Sequence, residues 1–343
     1  MTRTIETKVN VLRNGVKVTS LVFDEAPTIS LDNNAVIKSS MQGTFIKNDV
    51  VDWLSDQLQP VLIIDDIEYP IGVFDAATIN TARTDTTNGI SIEAYDQCWR
   101  VQSYKTPSTI HLNAGTNYVQ QVQSMLVECG IGAALVTPTS ESLREDREDW
   151  EIGTDYLTII NQLLSEINYN NLWFNANGMA MIQPKAELTA SGIVRTYDSK
   201  NVNSLMLRNS NVSIDIFNTP NVFHVVCSNP DDDSVMVATA VNESHTSPFS
   251  VLRRGRRIVE LVRVDNIASQ AALEDYASLM AMKSAMASEV ITINTGLMPG
   301  VGINEPVALI HEDAEGLCYE TGWRMELAAG GSMVHTLEKA VIM

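Results

Sequence analysis

The sequence lacks any long uninterrupted apolar run, and its first residues do not form the apolar core that export signals carry. Nowhere do about 18 apolar residues follow one another, the minimum that marks a membrane-spanning helix. Ile5 is the only aliphatic residue among Thr2–Glu6. We therefore expect a chain that does not span a membrane, carries no cleavable export signal, and is made in the cytoplasm.

Basic residues are also scarce. Lys and Arg number 23 against 42 Asp and Glu, which gives a formal net charge of −19. The one basic cluster, Arg253-Arg254-Gly255-Arg256-Arg257, is too short to follow a phosphate backbone, because nucleic-acid binding needs a wider basic face. This cluster is typical of a strand end or a turn that pairs with carboxylates. Sequence-specific DNA binding is excluded on this ground.

Cysteines are few and far apart. The chain has four, Cys98, Cys129, Cys227 and Cys318, and no two of them form a CxxC pair. In a cytoplasmic protein, this spacing favours reduced, buried thiols over disulfides or a zinc site.

Motifs of known catalytic chemistry are missing as well. No HExxH, GxSxG or Walker loop occurs, and Gly300-Val301-Gly302 lacks the third glycine of a phosphate-binding loop. His311-Glu312-Asp313 follows the apolar run Val307–Ile310, as expected of a solvated strand end. The five histidines are scattered along the chain: His111, His224, His245, His311 and His335. We predict no catalytic, cofactor-binding or metal site.

Two enzyme-like alternatives stay open at this point. Carboxylates are numerous, and a glycosidase pair has no fixed sequence spacing, so two of them could meet in three dimensions. Tryptophans could line a sugar cleft, although those in strand patterns are more simply explained as core residues. The tryptophans are Trp53, Trp99, Trp150, Trp173 and Trp323.

Residues 1–105 have the pattern of short strands joined by turns. Lys8–Leu12 and Val16–Val18 flank Asn14-Gly15, a pair suited to a type I′ turn, and their valines alternate with polar residues. Val61–Ile64 and Ile67–Tyr69 flank Asp65-Asp66 and predict a second hairpin. The strands Ile71–Phe74 and Ile90–Ala94 follow, and short strands with regular turn signals favour a barrel or a sandwich.

The pattern becomes helical between residues 106 and 199. Tyr118–Cys129 has apolar residues at spacings of three and four and ends before Gly130. A second helix, Thr154–Asn168, can be capped by Thr154 or Asp155 and carries one apolar stripe: Leu157, Ile160, Leu164 and Ile167. Leu172–Ile182 then predicts a hairpin that turns at Asn177-Gly178. The charged stretch Glu141–Glu151 predicts an exposed loop.

Strands return after residue 200. We expect Asn221–Cys227 and Ser234–Val241 to be joined by a turn at Pro230–Asp233. A third helix is predicted at Ser269–Met286. The last predicted strands are Glu289–Asn294, Pro306–Ile310, Leu317–Met325 and Met333–Glu338. The fold class is therefore mainly β with an α+β middle region.

This order of segments resembles the central hub proteins of contractile phage tail baseplates. The path from Val61 through Tyr69–Phe74 to Ala94-Tyr95-Asp96 is similar to the surface, G-x-F and YD progression of their first barrel. Leu157–Ile167 with the following hairpin resembles their helix and small sheet. Further similarities, some partial, lie in Asn218–Val225, Asn242-Glu243-Ser244, Ser247-Pro248, Gly255–Arg257 and Pro299–Val307.

The resemblance implies two tube-like β-barrel domains and smaller helix-containing domains. The first barrel would span 1–105, the α+β middle domain 106–199, and the second barrel 200–241 with 287–343, interrupted by a helix-containing insertion at 242–286. It further implies a homotrimeric ring that joins the tail tube protein to the central spike protein within the virion baseplate, with other baseplate proteins as partners. DNA would pass through the bore without specific binding, and no membrane insertion is implied.

Two other functions remain as alternatives to the hub. A tail-associated cell-wall-degrading enzyme would carry paired carboxylates or an HExxH-type site. A carbohydrate-binding receptor module would carry a fibrous repeat or an exposed row of aromatics, and the sequence has neither pattern.

Overall fold

The computed structural model confirms the mainly β class, with 47% of residues in strands and 16% in helices. It describes residues 3–83, 88–143, 146–147, 149–186, 190–201, 204–214, 219–228, 235–245, 247–264, 270–287, 289–312 and 314–339. The predicted turn at Pro230–Asp233 lies outside the described residues, as do Asn218, Ser234, Ser269 and Asp313.

Strands and helices follow one another in three runs. The first run is β1 Ile5–Arg13, β2 Val16–Leu21, β3 Phe23–Asp32, β4 Ser39–Ile46, β5 Gln57–Ile64, β6 Ile67–Pro70, β7 Phe74–Arg83 and β8 Asn88–Asp96. The second is α1 Cys98–Ser103, α2 Tyr118–Glu128, β9 Ala134–Val136, α3 Tyr156–Glu166, β10 Trp173–Phe174 and β11 Ala180–Ile182. The third is a 3-10 helix Ala190–Gly192, β12 Arg195–Asp198, β13 Met206–Ile214, β14 Val222–Ser228, β15 Val235–Val241, α4 Val251–Arg254, β16 Val259–Val264, α5 Gln270–Ala287, β17 Glu289–Gly296, β18 Glu305–Ile310, β19 Glu315–Glu326 and β20 Ser332–Lys339.

These elements form two compact units. Unit 1 comprises Met1–Glu187, Thr295–Glu305 and Thr321–His335, and unit 2 comprises Leu188–Asn294, Pro306–Glu320 and Thr336–Met343.

Unit 1 is built on a large sheet in which β3, β4, β8, β7, β5, β1 and β2 are neighbours in that order. The pairs are antiparallel, and the Gly322–Glu326 part of β19 pairs with β3. Side chains such as Val9, Ile29, Phe45 and Phe74 are fully buried and form one apolar core. Because successive side chains of a strand point to opposite faces, one face of each strand supplies this core.

Both predicted hairpins of the first region are confirmed. Asn14 and Gly15 adopt φ of 51° and 76° between β1 and β2, as a type I′ turn requires. Asp65 and Asp66 turn the chain between β5 and β6 with φ of 49° and 67°. Short polar residues tolerate this left-handed conformation, which explains why the two turns were visible in the sequence.

The first hairpin has one feature that the alternation of valines did not predict. Val11 pairs with Thr19, but Leu12 pairs with Lys17, so that Val18 is the extra residue of a bulge. Val16 and Val18 are therefore 68% and 40% exposed and do not reach the core.

The predicted strand Ile71–Phe74 is wrong in its bounds. Only Phe74 begins a strand, β7, while Ile71 and Val73 are buried in the connection before it. Gly72 allows this close path, because a Cβ at residue 72 would lie 2.6 Å from the ring of Phe74. The run of apolar residues therefore indicates burial of this connection, and not a strand.

A second apolar core in unit 1 lies around α1, α2 and α3. Asn117 caps α2 by accepting from the backbone N–H of Gln120, and Gly130 follows with φ of 77°. Asp155 caps α3 by accepting from Thr158, which decides between the two predicted caps. Leu157, Ile159, Ile160, Leu163 and Leu164 are at most 1% exposed, so α3 is buried over more than one stripe.

The stretch Glu141–Glu151 is not the fully exposed loop that its charge predicted. Leu143 and Trp150 are buried, and the backbone N–H of Trp150 donates to the carbonyl of Ile110. The Trp150 indole donates to Gln162 Oε1 at 2.6 Å, and the Arg147 guanidinium lies 4.5 Å from the Trp150 ring centre. Two buried side chains, Leu143 and Trp150, therefore hold this charged segment against the core.

Unit 2 contains a three-stranded sheet in the order β15, β14, β16. β14 is antiparallel to β15 and parallel to β16. One face packs on α5, where Leu273 and Ala277 contact Val225, Cys227 and Ala238. Elsewhere in this unit, β12 pairs in parallel with β18.

Candidate functional site

Metal-ligating side chains do not gather into a metal site in the part of the chain that the structure describes. No group of three or more His, Cys, Asp or Glu side chains there could hold a metal ion. His311 is buried, and its backbone N–H donates to the Ala314 carbonyl, whereas Glu312 is exposed. His335 Nε2 lies 2.8 Å from Thr295 Oγ1 in a buried pair within unit 1.

All four cysteine side chains are buried, as their spacing predicted. Cys98 Sγ lies 3.5 Å from the Leu172 carbonyl, and burial raises the pKa of Cys98 well above its ordinary value. The chemistry of the cysteines is therefore that of core residues.

Unit 1 has a small cleft of about 30 Å³ that bears on the carbohydrate-enzyme alternative. Trp173 and Trp323 line it, and Asp96 is the only carboxylate among the described residues that line it. A glycosidase needs two carboxyl groups on opposite sides of the bond that it cleaves. This cleft therefore lacks the pair that the alternative requires.

Asp96 acts as a buried structural acceptor at the end of β8. Its Oδ2 accepts from the backbone N–H of Ser39 at 2.8 Å, and its Oδ1 accepts from that of Cys98 at 2.9 Å. Burial raises the pKa of Asp96 to about 7, against these two hydrogen bonds and the nearby Lys38, which lower it. Asp96 belongs to the Tyr95-Asp96 motif, so this motif joins β4, β8 and α1.

Lys38 is buried beside this carboxyl group. Its Nζ donates to the carbonyls of Asn33 and Ala35, each at 2.6 Å, and burial lowers its pKa. The ammonium group therefore ties down the turn between β3 and β4.

Asn221 has the corresponding role in unit 2. Its Nδ2 donates to the carbonyls of Phe249 and Arg256 at 3.1 and 3.0 Å, and its Oδ1 accepts from Ile258 at 2.7 Å. The side chain is fully buried. This one amide fixes the path of the chain from α4 to β16.

Asn242 completes the same arrangement. Its Nδ2 donates to Ser247 Oγ at 3.0 Å, its Oδ1 accepts from Ser244, and its backbone N–H donates to Asn221. The segments of Asn221, Asn242 and Ser247, in which the sequence resembled hub proteins, are thus connected by buried hydrogen bonds.

Replacing Asn221 by Ala should destabilise unit 2 and open the segment from α4 to β16. Loss of three buried hydrogen bonds is expected to cost roughly 3 kcal/mol. Trypsin should then cleave at Arg253–Arg257 about a hundred times faster, because cleavage follows local opening and each 1.4 kcal/mol is about tenfold. The control is Asn211→Ala at an exposed position. Equal cleavage rates for the two variants would contradict this role of Asn221.

The sheet of unit 2 has an outer face, opposite α5, that is apolar and accessible on β15 and β16, whereas Val222 on the central strand is buried. The strand register places three rows of side chains on this face, each given in the order β15, β14, β16. The rows are Val237, Val226 and Arg263; Thr239, His224 and Leu261; and Val241, Val222 and Val259. The exposed fractions are 51% for Val237, 57% for Leu261 and 52% for Val259. Contiguous exposed aliphatic residues on one face are typical of a protein interaction site.

Arginines border this outer face. Ser250 caps the short helix α4, Gly255 ends it with φ of 63°, and Arg254 donates to the Thr219 carbonyl at 2.8 Å. Arg253, Arg256 and Arg257 are exposed and form no ion pair with a described residue. For these three arginines, the predicted pairing with carboxylates of the same chain is not found among the described residues.

Comparison with solved structures identifies the fold. A tail protein from Neisseria meningitidis MC58 matches with a TM-score of 0.72 and 13% identity, over 97% of this chain and 96% of that protein. The 43 kDa tail protein of prophage MuSo2 from Shewanella oneidensis matches with a TM-score of 0.71 and 11% identity, over 97% and 98%. This chain has the fold of phage tail proteins.

The tail-protein fold extends beyond phages. An E. coli component of the type VI secretion system, which exhibits structural similarity to T4 bacteriophage tail proteins gp27 and gp5, matches with a TM-score of 0.50 and 14% identity. The match covers 96% of this chain and 77% of that protein. No protein-family model and no curated protein sequence matches the chain.

The described helices include none with the length and apolar character needed to cross a bilayer.

Proposed function

We propose that this chain is the structural hub of the baseplate of a phage or a phage-tail-like particle, where it forms a trimeric ring between the tail tube and the central spike. The correspondence with two tail proteins over at least 96% of each chain carries this proposal. A match over the whole length concerns the full arrangement of strands and helices, and not one shared module. The order of motifs in the sequence is independent support.

The domain arrangement that we propose keeps the predicted bounds. Residues 1–105, which contain β1–β8, form the first tube-like barrel, and residues 200–241 with 287–343 form the second. Residues 106–199 are the middle α+β domain, and 242–286 are the insertion. Three copies then offer six similar barrels to a sixfold tube, which reconciles a threefold spike with a sixfold tube.

The partners in this proposal are the tail tube protein, the central spike protein and other baseplate proteins. The chain is assembled in the cytoplasm of the host bacterium and resides in the virion baseplate. Its role requires no catalysis, which agrees with the structural use of Asp96 and Asn221 as buried hydrogen-bonding groups.

Native mass spectrometry of the purified chain, alone and mixed with a candidate spike protein, tests the proposed ring. We expect three copies of the 37.7 kDa chain, and three copies with one spike assembly in the mixture. A ring of six copies, or a chain that stays monomeric under assembly conditions, would contradict the proposal.

Charge supports a second expectation about the ring. A bore lined by carboxylates repels DNA, whereas a basic bore would retain it through phosphate contacts. With a net charge of −19, the bore can be acidic even when the exposed arginines face another protein. The assembled ring should therefore not retain duplex DNA in a filter-binding assay at moderate salt, and salt-sensitive binding would refute the acidic bore.

A further inference from the structure

The outer face of the unit 2 sheet has the composition of a contact surface. Val237 on β15 and Leu261 on β16 lie two strands apart, on either side of the half-buried Val226 and His224 of β14. Adjacent strands are about 4.8 Å apart, so these side chains form one continuous patch. Val235 and Val259 extend it and are 61% and 52% exposed.

Among the described residues, neither β15 nor β16 has a second strand partner, but the β15 edge is partly covered, because the Val237 carbonyl accepts from Gln270 Nε2 at 3.1 Å. In the described strands, β14 is the central strand, and β15 and β16 each have one paired side. Open strand edges next to an apolar face favour association with another chain. Glu260 does not oppose this, because it pairs with Phe223 and so points to the α5 side of the sheet.

Charge indicates which surface fits this patch. Arg253, Arg256 and Arg257 precede β16, and Arg263 lies in the first row of the outer face. A complementary surface must therefore be acidic. A second copy of the chain offers one, since apart from these four arginines it has 42 acidic residues against 23 − 4 = 19 basic residues.

The same charges disfavour any contact in which the arginine borders of two copies face each other. In a twofold dimer whose axis passes near this border, the arginines of the two copies would be brought together. A contact between two different surfaces avoids this repulsion, and repetition of such a contact closes a ring.

We propose that the outer face of the unit 2 sheet, with its border of Arg253, Arg256, Arg257 and Arg263, docks onto an acidic surface of the next copy in the ring. This inference rests on the proposed ring and names one of its two contacting surfaces. The acidic partner surface lies elsewhere on the neighbouring copy.

The test uses the full-length chain with Leu261→Asp, which adds an acidic group to the patch. Because Leu261 is 57% exposed, the melting temperature should stay within a few degrees of that of the wild type. Association measured by sedimentation should weaken at least about tenfold, since an unpaired charge is placed in an apolar contact. Ile67→Asp is the matched control, because Ile67 is 56% exposed and lies on β6 in unit 1.

A second variant, Arg256→Glu with Arg257→Glu, leaves the apolar residues in place. We expect this variant to associate more weakly than the wild type. Added salt should weaken the association of the wild type but not the residual association of the variant, because the attraction that salt screens has been removed. This variant keeps the test decisive if Leu261→Asp does not fold.

The outcomes separate this inference from the proposed function. A ring that withstands both variants overturns the docking surface and leaves the hub in place. A wild-type chain that remains monomeric at high concentration overturns both the docking surface and the proposed hub. Dissociation by Leu261→Asp and by the control alike also overturns the surface, because the effect would then not depend on this face.

Discussion

Leu164→Asp is expected to lower the free energy of unfolding by about 3 kcal/mol or more. Leu164 is fully buried in α3, within the apolar core of unit 1 that also contains Val122 and Phe174. A carboxylate at this position would have no partner in an apolar environment. The measurement is chemical denaturation of the purified chain, followed by circular dichroism.

The matched control is Ser165→Asp, one residue along the same helix. Ser165 is exposed and donates only to the Gln162 carbonyl of its own helix. Its substitution should therefore cost less than about 1 kcal/mol, an amount typical of surface positions and of an acidic group near a helix C-terminus. Equal stability of the two variants would show that α3 does not form part of the core.

Asp96→Asn should destabilise unit 1 by roughly 2–4 kcal/mol, although the two side chains have the same shape. The Asp96 carboxyl accepts from Ser39 and Cys98, one through each oxygen. An amide has one oxygen only, so its NH₂ group would face a backbone N–H. The control is Asp66→Asn in the exposed turn of the second hairpin, where Asn also tolerates the positive φ.

The effect of pH on Asp96 has a defined sign. Its pKa in the folded chain is about 7, above the value of 3.8 expected in the unfolded chain. Between these two pKa values the folded chain retains a proton that the unfolded chain has lost, so stability falls as the pH rises. The contribution of the protonated Asp96 carboxyl group to the free energy of unfolding amounts to about 4 kcal/mol. It is fully present below pH 3.8 and is lost as the pH rises through 7.

The two variants isolate this contribution from that of the other carboxylates. The stability of wild type minus that of Asp96→Asn should fall as the pH rises from 4 to 7, by about 4 kcal/mol in all. The same difference taken with Asp66→Asn, at an exposed position, serves as the control. A flat difference for Asp96→Asn would mean that its carboxyl group titrates at an ordinary pKa despite its burial.

Elements with strong local signals could be predicted from the sequence. Asn14-Gly15 and Asp65-Asp66 fix their turns because these residues tolerate a positive φ, whatever the rest of the chain does. Asp155 caps α3 through a contact with a residue three positions away. In both cases the information lies within a few residues.

Elements that depend on distant partners were missed. Strand β4 pairs with β8, which is more than 40 residues away in sequence, and its Ser39–Ile46 segment has little apolar alternation. Strand β16 joins its sheet through a parallel pairing with β14, and nothing local to Val259–Val264 indicates that partner. The bulge at Val18 shifts the register by one residue and reverses the faces that alternation predicted.

The candidate interaction surface could not be found from sequence for a similar reason. Val237 and Leu261 are 24 residues apart in sequence and meet only through β14, so no window of the chain contains both. The arginine cluster was visible, but its exposure beside an apolar sheet face was not. Asn221 was recognised as part of a motif, whereas its three partners lie 28, 35 and 37 residues away.

The most direct test of the hub is an electron-microscopy reconstruction of a tail that contains this chain. The account predicts three copies around the axis, at the junction of the tail tube and the central spike. Density for this chain elsewhere in the tail, or six copies at that junction, would contradict it.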